Sequence, residues 1–560
     1  MPRQGTSFMP TLPRMPIPAP TASTHAGPAA LVSVAAGENP EKLAIVEAGG
    51  RSLTWSALDD EVGRVATGLA AAGVLAGYRI VVMTGNRLEF VTTYLGVLRA
   101  QAVAVPLNPG STAREVARVV ADCGARVLVA DADTAATVRA AVAMLDDALA
   151  GRTTPLDGDV PAEVRARLVR PRVVVVGAAP EAGETAYDDL RATEARPALP
   201  LLDPERIAAL LYTSGTTGLP RGAMLSHRAL GANIDQVAAV DPPMIHGDDV
   251  VLGVLPLFHV YGLNAVLGSV LRQRAKLVLA ERFDPQGTLD LIDDEACSVV
   301  PVAPPVFAHW KDVDLAGRLG PVRLVLSGSA PVAPEVVAEF VDRTGIAVHQ
   351  GYGLTEAAPV VTSTLVSEHP PAGSVGAPLG GIELRLVDED GRPVEGEDPG
   401  EIRLRGANLF SGYWPDGADG PDADGWWSTG DVAFVDPHGD VFLVDRVKEL
   451  VIVSGFNVYP VEVERVVSAV EGVTEVAVIG VADDVTGEAV VAYVVARGTA
   501  AADRGAVESA VRAACESGLA RFKVPSRIEV VDELPVGVTG KVQKGRLRGY
   551  ERRRAAGLID

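Results

Sequence analysis

Short runs of β-branched residues alternate with helical stretches as far as about residue 380, and this alternation is the feature that most constrains the fold. The runs are Arg79–Met83, Arg126–Ala130, Arg172–Gly177, Lys276–Ala280 and Arg323–Ser327. The stretches between them are rich in Ala, Leu, Glu and Arg and have helical spacing. Strands and helices in alternation predict layered α/β subdomains with largely parallel, buried sheets.

The sequence pattern changes near residue 380. Gly381–Val387 and Gly400–Arg405 alternate polar and apolar residues, and Gly, Asp and Pro recur between 388 and 440. This pattern predicts antiparallel strands joined by hairpins, forming a small β-barrel-like part of the same large domain.

A separate small α+β unit is predicted after residue 446. Its expected elements are a helix near Val461–Val470, strands at Val476–Val481 and Ala489–Ala496, a helix near Ala506–Ser517 and a strand at Arg527–Val531. About 110 residues suffice for a domain of this kind. The predicted organisation is a Pro-rich flexible tail over 1–28, a large N-terminal domain over 29–446, and a small, mobile C-terminal domain over 447–560. The tail has a second interpretation, a start codon placed too early.

The charge and the cysteines limit the function classes. The 560 residues include 72 acidic and 50 basic side chains, a formal net charge of −22. Nucleic acid is therefore not expected as a partner, because phosphate contacts need clustered Lys and Arg. Three scattered cysteines favour a reducing, cytoplasmic setting. No run approaches the roughly 18 apolar residues that a spanning helix needs.

One loop has the composition of a phosphate cradle. A predicted strand ending near Thr213 leads into residues rich in Gly, Ser and Thr, and Arg221 closes the loop. Backbone N–H groups and hydroxyls in such a loop can surround phosphates. The triphosphatase P-loop is excluded, because no Gly-Lys-Ser/Thr follows at the required spacing. The candidate ligands in this loop are Thr213, Ser214, Gly215, Thr216, Thr217, Gly218 and Arg221.

Four further motifs follow the loop in order. They are Gln350–Glu356, Ser428–Asp431, Asp445–Leu450 and Gly540-Lys541. Together with the loop they resemble the adenylate-forming superfamily, which includes acyl-CoA synthetases, peptide-synthetase adenylation domains and firefly luciferase. The resemblance runs from about residue 30 to about residue 550. One departure is Arg221, since Lys is usual at that position.

The resemblance implies an ATP site with Mg²⁺. In it, Tyr352 in the loop after Gly351 stacks on adenine, and Thr355 contacts the α-phosphate. Glu356 supplies a hard carboxylate oxygen for Mg²⁺. Asp431 accepts hydrogen bonds from the ribose hydroxyls, and the guanidinium of Arg446 contacts the nucleotide.

The resemblance also implies a catalytic lysine on the mobile domain. Lys541 would reach the acyl carboxylate and the phosphate, where a fixed cation stabilises two anions brought together. Lys544, three residues later, is expected to be an ordinary exposed lysine. Lys448 matches the hinge position about which the small domain rotates. Gly455, Phe456 and Asn457 match the loop that approaches the site for thioester formation with CoA.

The acid site is predicted near His259. This residue resembles an aromatic gate beside the carboxylate, although a structural role is an equal alternative. The expected acyl pocket is small or apolar throughout, which favours an uncharged tail. Its candidate lining is Val260, Leu263, Pro304, Ser327, Gly328 and Gly351. His259-Val260 stands where peptide-synthetase domains have an Asp after the aromatic residue, and this disfavours amino acids.

These features predict an ATP-dependent acid–CoA ligase that forms an acyl-adenylate and then a thioester. A medium- or long-chain fatty acid is the first candidate substrate, with Mg²⁺ and CoA required. The alternatives are an acyl-AMP ligase loading a carrier protein in trans, a ligase for an aryl or other small acid and, least favoured, a catalytically silent binding relative. Membrane-surface contact and the choice between monomer and homodimer stay open.

Overall fold

The computed structural model describes residues 27–152, 156, 164, 168–213, 220–311, 313–315, 317–330, 332–388, 390–394, 398–446, 449, 451–453, 456–483, 486–497, 504–519, 521–537 and 541–555. The predicted tail therefore lies outside this part of the chain, except for its last two residues. Pro28, which the tail was expected to include, is the first residue of a helix. A Pro there has no intrahelical N–H bond to lose, which suits a helix start.

The first half of the large part alternates strands and helices. In chain order these are α1 Pro28–Glu38, β1 Leu43–Glu47, β2 Ser52–Thr54, α2 Trp55–Ala71, β3 Arg79–Met83, α3 Leu88–Arg99, β4 Val103–Pro106, α4 Ala113–Cys123, β5 Val127–Asp131, α5 Ala135–Leu149, β6 Arg172–Val176, β7 Thr185–Ala186, α6 Tyr187–Leu190, β8 Ile207–Thr213, β9 Arg221–Ser226 and α7 His227–Ala238.

The alternation continues to about residue 378 and includes an eight-residue π-helix. These elements are β10 Val250–Gly253, the π-helix Tyr261–Gly268, α8 Ser269–Gln273, β11 Lys276–Leu279, α9 Pro285–Asp294, β12 Val299–Val302, α10 Pro305–His309, β13 Leu324–Ser327, α11 Pro334–Thr344, β14 Val348–Gln350, a 3₁₀ turn at Thr355–Ala357, β15 Thr362–Ser363 and β16 Ala377–Pro378. All five strands predicted from the β-branched runs are confirmed to within one residue at each end.

Two seven-stranded sheets organise the large part. One has the order β14-β13-β12-β10-β11-β1-β2 and the other the order β7-β6-β5-β3-β4-β8-β9. The first sheet is parallel except for its antiparallel edge strand β2, and the second is parallel except for its antiparallel edge strand β9. Strand β5 is buried along its whole length, as expected for a sheet covered by helices on both faces. Asn86, 6% exposed, joins the two sheets by donating to the carbonyls of Gly253 and Leu255.

The predicted antiparallel part is confirmed. Its strands are β17 Ile382–Val387, β18 Gly400–Gly406, β19 Trp427–Val435 and β20 Val441–Arg446, in that order across a four-stranded sheet. The alternation of polar and apolar residues agrees with a sheet that packs one face on the core.

The small C-terminal part has its own sheet and its own core. It contains β21 Val451–Val453, β22 Phe456–Val458, α12 Pro460–Ser468, β23 Val473–Asp483, β24 Gly487–Ala496, α13 Arg504–Gly518, a 3₁₀ turn at Arg521–Lys523, β25 Arg527–Val531 and α14 Lys544–Ala555. The sheet order is β22-β21-β24-β23, with β25 parallel to β24. The α/β class with a large and a small part is thus confirmed. The boundary after residue 446 stays a prediction.

No helix in the described part of the chain has both the length and the apolar character needed to cross a membrane. All three cysteines are buried and free, as expected for small apolar side chains in cores.

Candidate active site

The ends of the phosphate loop are held by a hairpin. Strands β8 and β9 are antiparallel, with Thr213 opposite Arg221. Because β8 runs parallel to β4, Thr213 lies at the carboxyl edge of the second sheet. This is the edge where α/β proteins bind ligands. Ser214, Gly215, Thr216, Thr217 and Gly218 lie outside the described residues.

Arg221 is held by an aromatic ring and a carboxylate. Its guanidinium centre lies 3.9 Å from the ring centroid of Tyr413, and its Nη1 lies 2.7 Å from Oδ2 of Asp419. The side chain of Asp419 is 70% exposed, so this ion pair is weak. The contact with the ring therefore contributes most to fixing Arg221 at the base of the loop.

Glu356 is buried and its carboxylate is oriented by the same tyrosine. It lies in the 3₁₀ turn Thr355–Ala357 and is 8% exposed. The Tyr413 hydroxyl donates to Oε1 of Glu356 at 2.6 Å, and the Phe410 N–H donates to the Glu356 carbonyl at 2.9 Å. Burial and the Glu356 charge raise the pKa of Tyr413 far above its usual range, so the phenol remains a donor.

Tyr352 and Asp431 form a second oriented pair. The Tyr352 hydroxyl donates to Oδ2 of Asp431 at 2.6 Å, and the two residues are 8% and 6% exposed. The backbone before Tyr352 packs closely against another segment, since a Cβ on Gly351 would lie 2.6 Å from the Thr362 carbonyl oxygen. The two motifs that the sequence placed on one nucleotide therefore meet in the fold, although 79 residues separate them.

The remaining nucleotide and CoA candidates are only partly described. Arg446 lies opposite Asp431 in the β19–β20 ladder. The residues Phe456 and Asn457 lie in β22, next to β21. The side chains of these three residues lie outside the described part of the chain, and so do the residues Lys448 and Gly455.

His259 is held as a neutral ring. Its pKa is lowered mainly by burial and, to a smaller extent, by the positive charge of Lys541. The Tyr261 N–H donates to Nδ1 of His259 at 3.3 Å, which leaves the ring proton on Nε2. The structure thus places His259, from the large part, within electrostatic range of Lys541 from the small part.

The residues predicted to line the acyl pocket are buried or partly buried and bear no charge, and the Tyr261 side chain lies beside them. Val260, Leu263 and Ser327 are at most 4% exposed. Tyr261 begins the π-helix and lies on Gly328, where a Cβ would come within 2.9 Å of its ring. The hydroxyl of Ser327 is buried with no hydrogen-bond partner in the described part of the chain. Pro304, before α10, and Gly351, after β14, are partly buried.

A buried amide links the π-helix, next to the predicted acid site, to the turn that carries Glu356. Asn264, in the π-helix, is 1% exposed. Its Nδ2 donates to the Ala358 carbonyl at 2.6 Å and to the Leu230 carbonyl at 3.1 Å. Ala358 follows the turn that carries Glu356, so the position of the helix and that of the turn are linked. π-Helices are frequent at functional sites.

Lys541 and Lys544 have different surroundings. Lys541 is exposed, and its carbonyl accepts from the Gly537 N–H at 2.7 Å. Lys544 was expected to be exposed too, and that prediction is wrong. Its side chain is 12% exposed, and its Nζ lies 3.1 Å from Oε2 of Glu449 and 2.9 Å from Oε1 of Glu464. The sequence could not indicate this, because the two carboxylates come from a distant segment of the chain.

Comparison with known families decides the assignment. The family described as AMP-binding enzyme matches residues 32–414, and its C-terminal domain matches residues 462–541. The chain belongs to the AMP-binding enzyme family. It is thereby a member of the adenylate-forming superfamily, as the five motifs predicted.

Relatives of this AMP-binding enzyme act on different acids. It is 34% identical over 517 residues to 4-coumarate–CoA ligase 5 from Oryza sativa, covering 89% of each chain. It is 32% identical to the long-chain-fatty-acid–CoA ligase of Bacillus subtilis, covering 91% of each chain. The ATP-bound crystal structure of MatB from Rhodopseudomonas palustris superposes with a TM-score of 0.81 at 32% identity, covering 94% of this chain and 99% of that one.

The sequence analysis did not identify three residues that lie in the candidate site of this AMP-binding enzyme. They are Tyr261, Asn264 and Tyr413. Asn264 and Tyr413 act through partners that lie 94 and 57 residues away, and no spacing rule marks such pairs. A signal was available for Tyr261, since it lies two residues after His259 and next to Val260.

Proposed function

We propose that this enzyme, an AMP-forming acid–CoA ligase that uses ATP, acts on an uncharged, apolar carboxylic acid, with a medium- or long-chain fatty acid as the first candidate. The observation that carries the proposal is the burial and lack of charge of the residues predicted to line the acyl pocket. Its side chains are small or apolar and bear no charge, and the most buried of them are at most 4% exposed. A charged tail would lose its hydration there without gaining a partner.

The proposed reaction has two steps. The acid's carboxylate oxygen attacks the α-phosphorus of ATP, the bond to the β-phosphate breaks, and pyrophosphate leaves. The CoA thiol then loses its proton to solvent, its sulfur attacks the acyl carbonyl, and AMP leaves. Thr355 would donate to the α-phosphate in the first step, and Lys541 would donate to the two anions that react. Asp431, oriented by Tyr352, would accept from the ribose.

The residues present fit a Mg²⁺ ion bound with ATP. Glu356 offers a hard carboxylate at a buried position, with one oxygen oriented by a hydroxyl. Mg²⁺ at such sites takes one or two protein carboxylates and fills its coordination with phosphates and water. When bound, the ion would neutralise charge on the phosphates.

One observation favours a second candidate, a planar aryl acid. The Tyr261 ring lies on Gly328, so it fills space that a long flexible chain would need. Its hydroxyl lies 3.4 Å from the Leu326 carbonyl, and the Ser327 hydroxyl has no partner in the described residues. A planar acid bearing a polar substituent would fit these two groups better than an alkyl chain would.

Pyrophosphate release over a panel of acids tests the proposal, with and without CoA. The panel contains straight-chain acids from butyric to palmitic, benzoic and cinnamic acids with and without a ring hydroxyl, and the ω-carboxy analogue of each chain length. We expect release with uncharged acids and stimulation by CoA, with KM rising strongly for the ω-carboxy analogues. A preference for those analogues would refute the predicted lining, and release without any response to CoA would favour loading of a carrier protein.

A further inference from the structure

Tyr413 contacts both the cation that closes the phosphate loop and the carboxylate expected to bind Mg²⁺. One face of its ring lies 3.9 Å from the Arg221 guanidinium centre, and its hydroxyl donates to Glu356 at 2.6 Å. We propose that Tyr413 is a positioning residue that orients Glu356 for the Mg²⁺ of Mg·ATP and keeps Arg221 from pairing with that carboxylate. This inference rests on the proposed ATP-dependent activity.

The need for a spacer follows from the charges. Arg221 and Glu356 are of opposite sign, and both contact the same tyrosine. A guanidinium and a buried carboxylate in direct contact form a strong, charge-assisted pair. Such a pair would occupy the groups that the phosphates and the ion need. An aromatic ring attracts the guanidinium without neutralising it, and a phenol donates to the carboxylate without bringing a charge.

The position of the ring is fixed by its neighbours. Tyr413 packs edge-on against Phe410 at 5.0 Å between centroids, and Phe410 packs against Trp427 at 5.1 Å. The Tyr413 N–H donates to the Ala418 carbonyl at 3.0 Å. A side chain held by packing and by backbone hydrogen bonds can orient a partner with little loss of entropy.

The segment that carries Tyr413 also runs along the hairpin of the phosphate loop. The Trp414 N–H donates to the Gly222 carbonyl at 2.8 Å, and the Met224 N–H donates to the Gly412 carbonyl at 3.0 Å. Tyr413 is therefore fixed with respect to Arg221 by backbone contacts, and with respect to Glu356 by its hydroxyl. This double attachment suits a residue that sets the distance between the two groups.

The test compares Tyr413→Phe with wild type in two measurements. The first is equilibrium binding of ATP by calorimetry, at saturating Mg²⁺ and in EDTA. The second is the Mg²⁺ dependence of pyrophosphate release at saturating acid. Loss of the hydroxyl should reduce the preference for Mg·ATP over free ATP about tenfold. It should raise the Mg²⁺ concentration that gives the half-maximal rate by a similar factor. Losses of this size are typical when a group that orients a metal ligand is removed. The kcat at saturating Mg²⁺ and the KM for the acid should stay near wild type.

Three further variants make the result decisive. Tyr413→Leu also removes the spacer, so it should weaken Mg·ATP binding beyond Tyr413→Phe and raise the KM for ATP. Tyr187→Phe is the matched control, because Tyr187 is a buried tyrosine whose hydroxyl lies 2.6 Å from Thr92 Oγ1, outside the candidate site. It should leave the response to Mg²⁺ unchanged. Glu356→Gln is the positive control and should raise the Mg²⁺ requirement.

An unchanged Mg²⁺ response in Tyr413→Phe, with the response of Glu356→Gln altered, would overturn the inference. A fall in kcat that saturating Mg²⁺ does not restore would also overturn it, since that pattern indicates a merely structural role. If wild type releases no pyrophosphate with any acid of the panel, the proposed function fails instead, and the binding measurement still reports whether Tyr413 affects Mg·ATP.

Discussion

In the large N-terminal part, two pairs of candidate-site side chains are buried or partly buried and hydrogen-bonded, whereas Lys541, the cation proposed for the small part, is exposed. Tyr352 holds Asp431 and Tyr413 holds Glu356, both at 2.6 Å. A backbone bridge pairs Val536 with Val542, the residue after Lys541. We therefore propose that the nucleotide-binding groups are oriented before ATP arrives and that the small part supplies the cation for the transfer step. This division suits a reaction in which one residue must leave between two steps.

The largest effect is expected from Lys541→Ala. Loss of the cation should slow acyl-adenylate formation by a factor of about 10² to 10³, because the reacting anions lose a fixed donor. Thioester formation from supplied acyl-adenylate and CoA should remain near wild type. The two half-reactions are measured separately, by pyrophosphate release and by thioester yield.

Lys523→Ala is the control for this variant. Lys523 belongs to the same small part and pairs with Glu462 at 2.6 Å, so its loss removes one positive charge without touching the loop of Lys541. Equal losses in both half-reactions of Lys541→Ala would contradict the division between the two parts.

Lys544→Ala should affect stability rather than one reaction step. Removing this ammonium leaves Glu449 and Glu464 without a shared cation, at positions 24% and 18% exposed. Breaking a buried pair costs several kcal/mol, and the partial exposure here reduces the expected loss to about 2 kcal/mol. Thermal unfolding followed by calorimetry measures it, and both half-reactions should decline together.

Arg546→Ala is the matched control on the same helix. Its side chain is exposed, so the variant should unfold close to wild type. If Lys544→Ala proved as stable as Arg546→Ala and lost only adenylate formation, Lys544 would share the role assigned to Lys541.

The smallest effect is expected from Arg221→Lys. The ammonium keeps the charge and the contact with the Tyr413 ring, and the pair that it loses with Asp419 is largely exposed. The KM for ATP should change by less than about threefold. A tenfold rise would show that the forked guanidinium itself contacts the phosphates.

The fold could be predicted where its signals are local. The β-branched runs predicted the parallel strands to within one residue, and β25 coincides with the predicted Arg527–Val531. Strand β23 is longer than predicted, since it extends over Val473–Asp483 against β24. The residues that extend it include Thr474, Glu475 and Asp483, so pairing with β24 rather than a run of apolar residues sets its length.

Residues of the candidate site could be predicted from the sequence only where they belong to a recognised motif. The motifs predicted that Tyr352 and Asp431 share a nucleotide site, and the two side chains are hydrogen-bonded in the structure. The motifs contain nothing about Tyr413, whose partners lie in two other segments. Lys544 was misjudged for the same physical reason, because burial depends on what the fold packs around a side chain. The catalytic role of Lys541 and the hinge at Lys448 remain predictions.

The Asn264 amide has a consequence for attempts to alter which acid this enzyme accepts. Because it bonds the Ala358 carbonyl, a substitution that shifts the π-helix would also displace the turn of Thr355 and Glu356. Acid scope is therefore best broadened by trimming side chains such as Tyr261 while the helix backbone stays in place. Variants in which the helix has moved are therefore expected to use ATP less well, and a screen at high ATP concentration would not detect this loss.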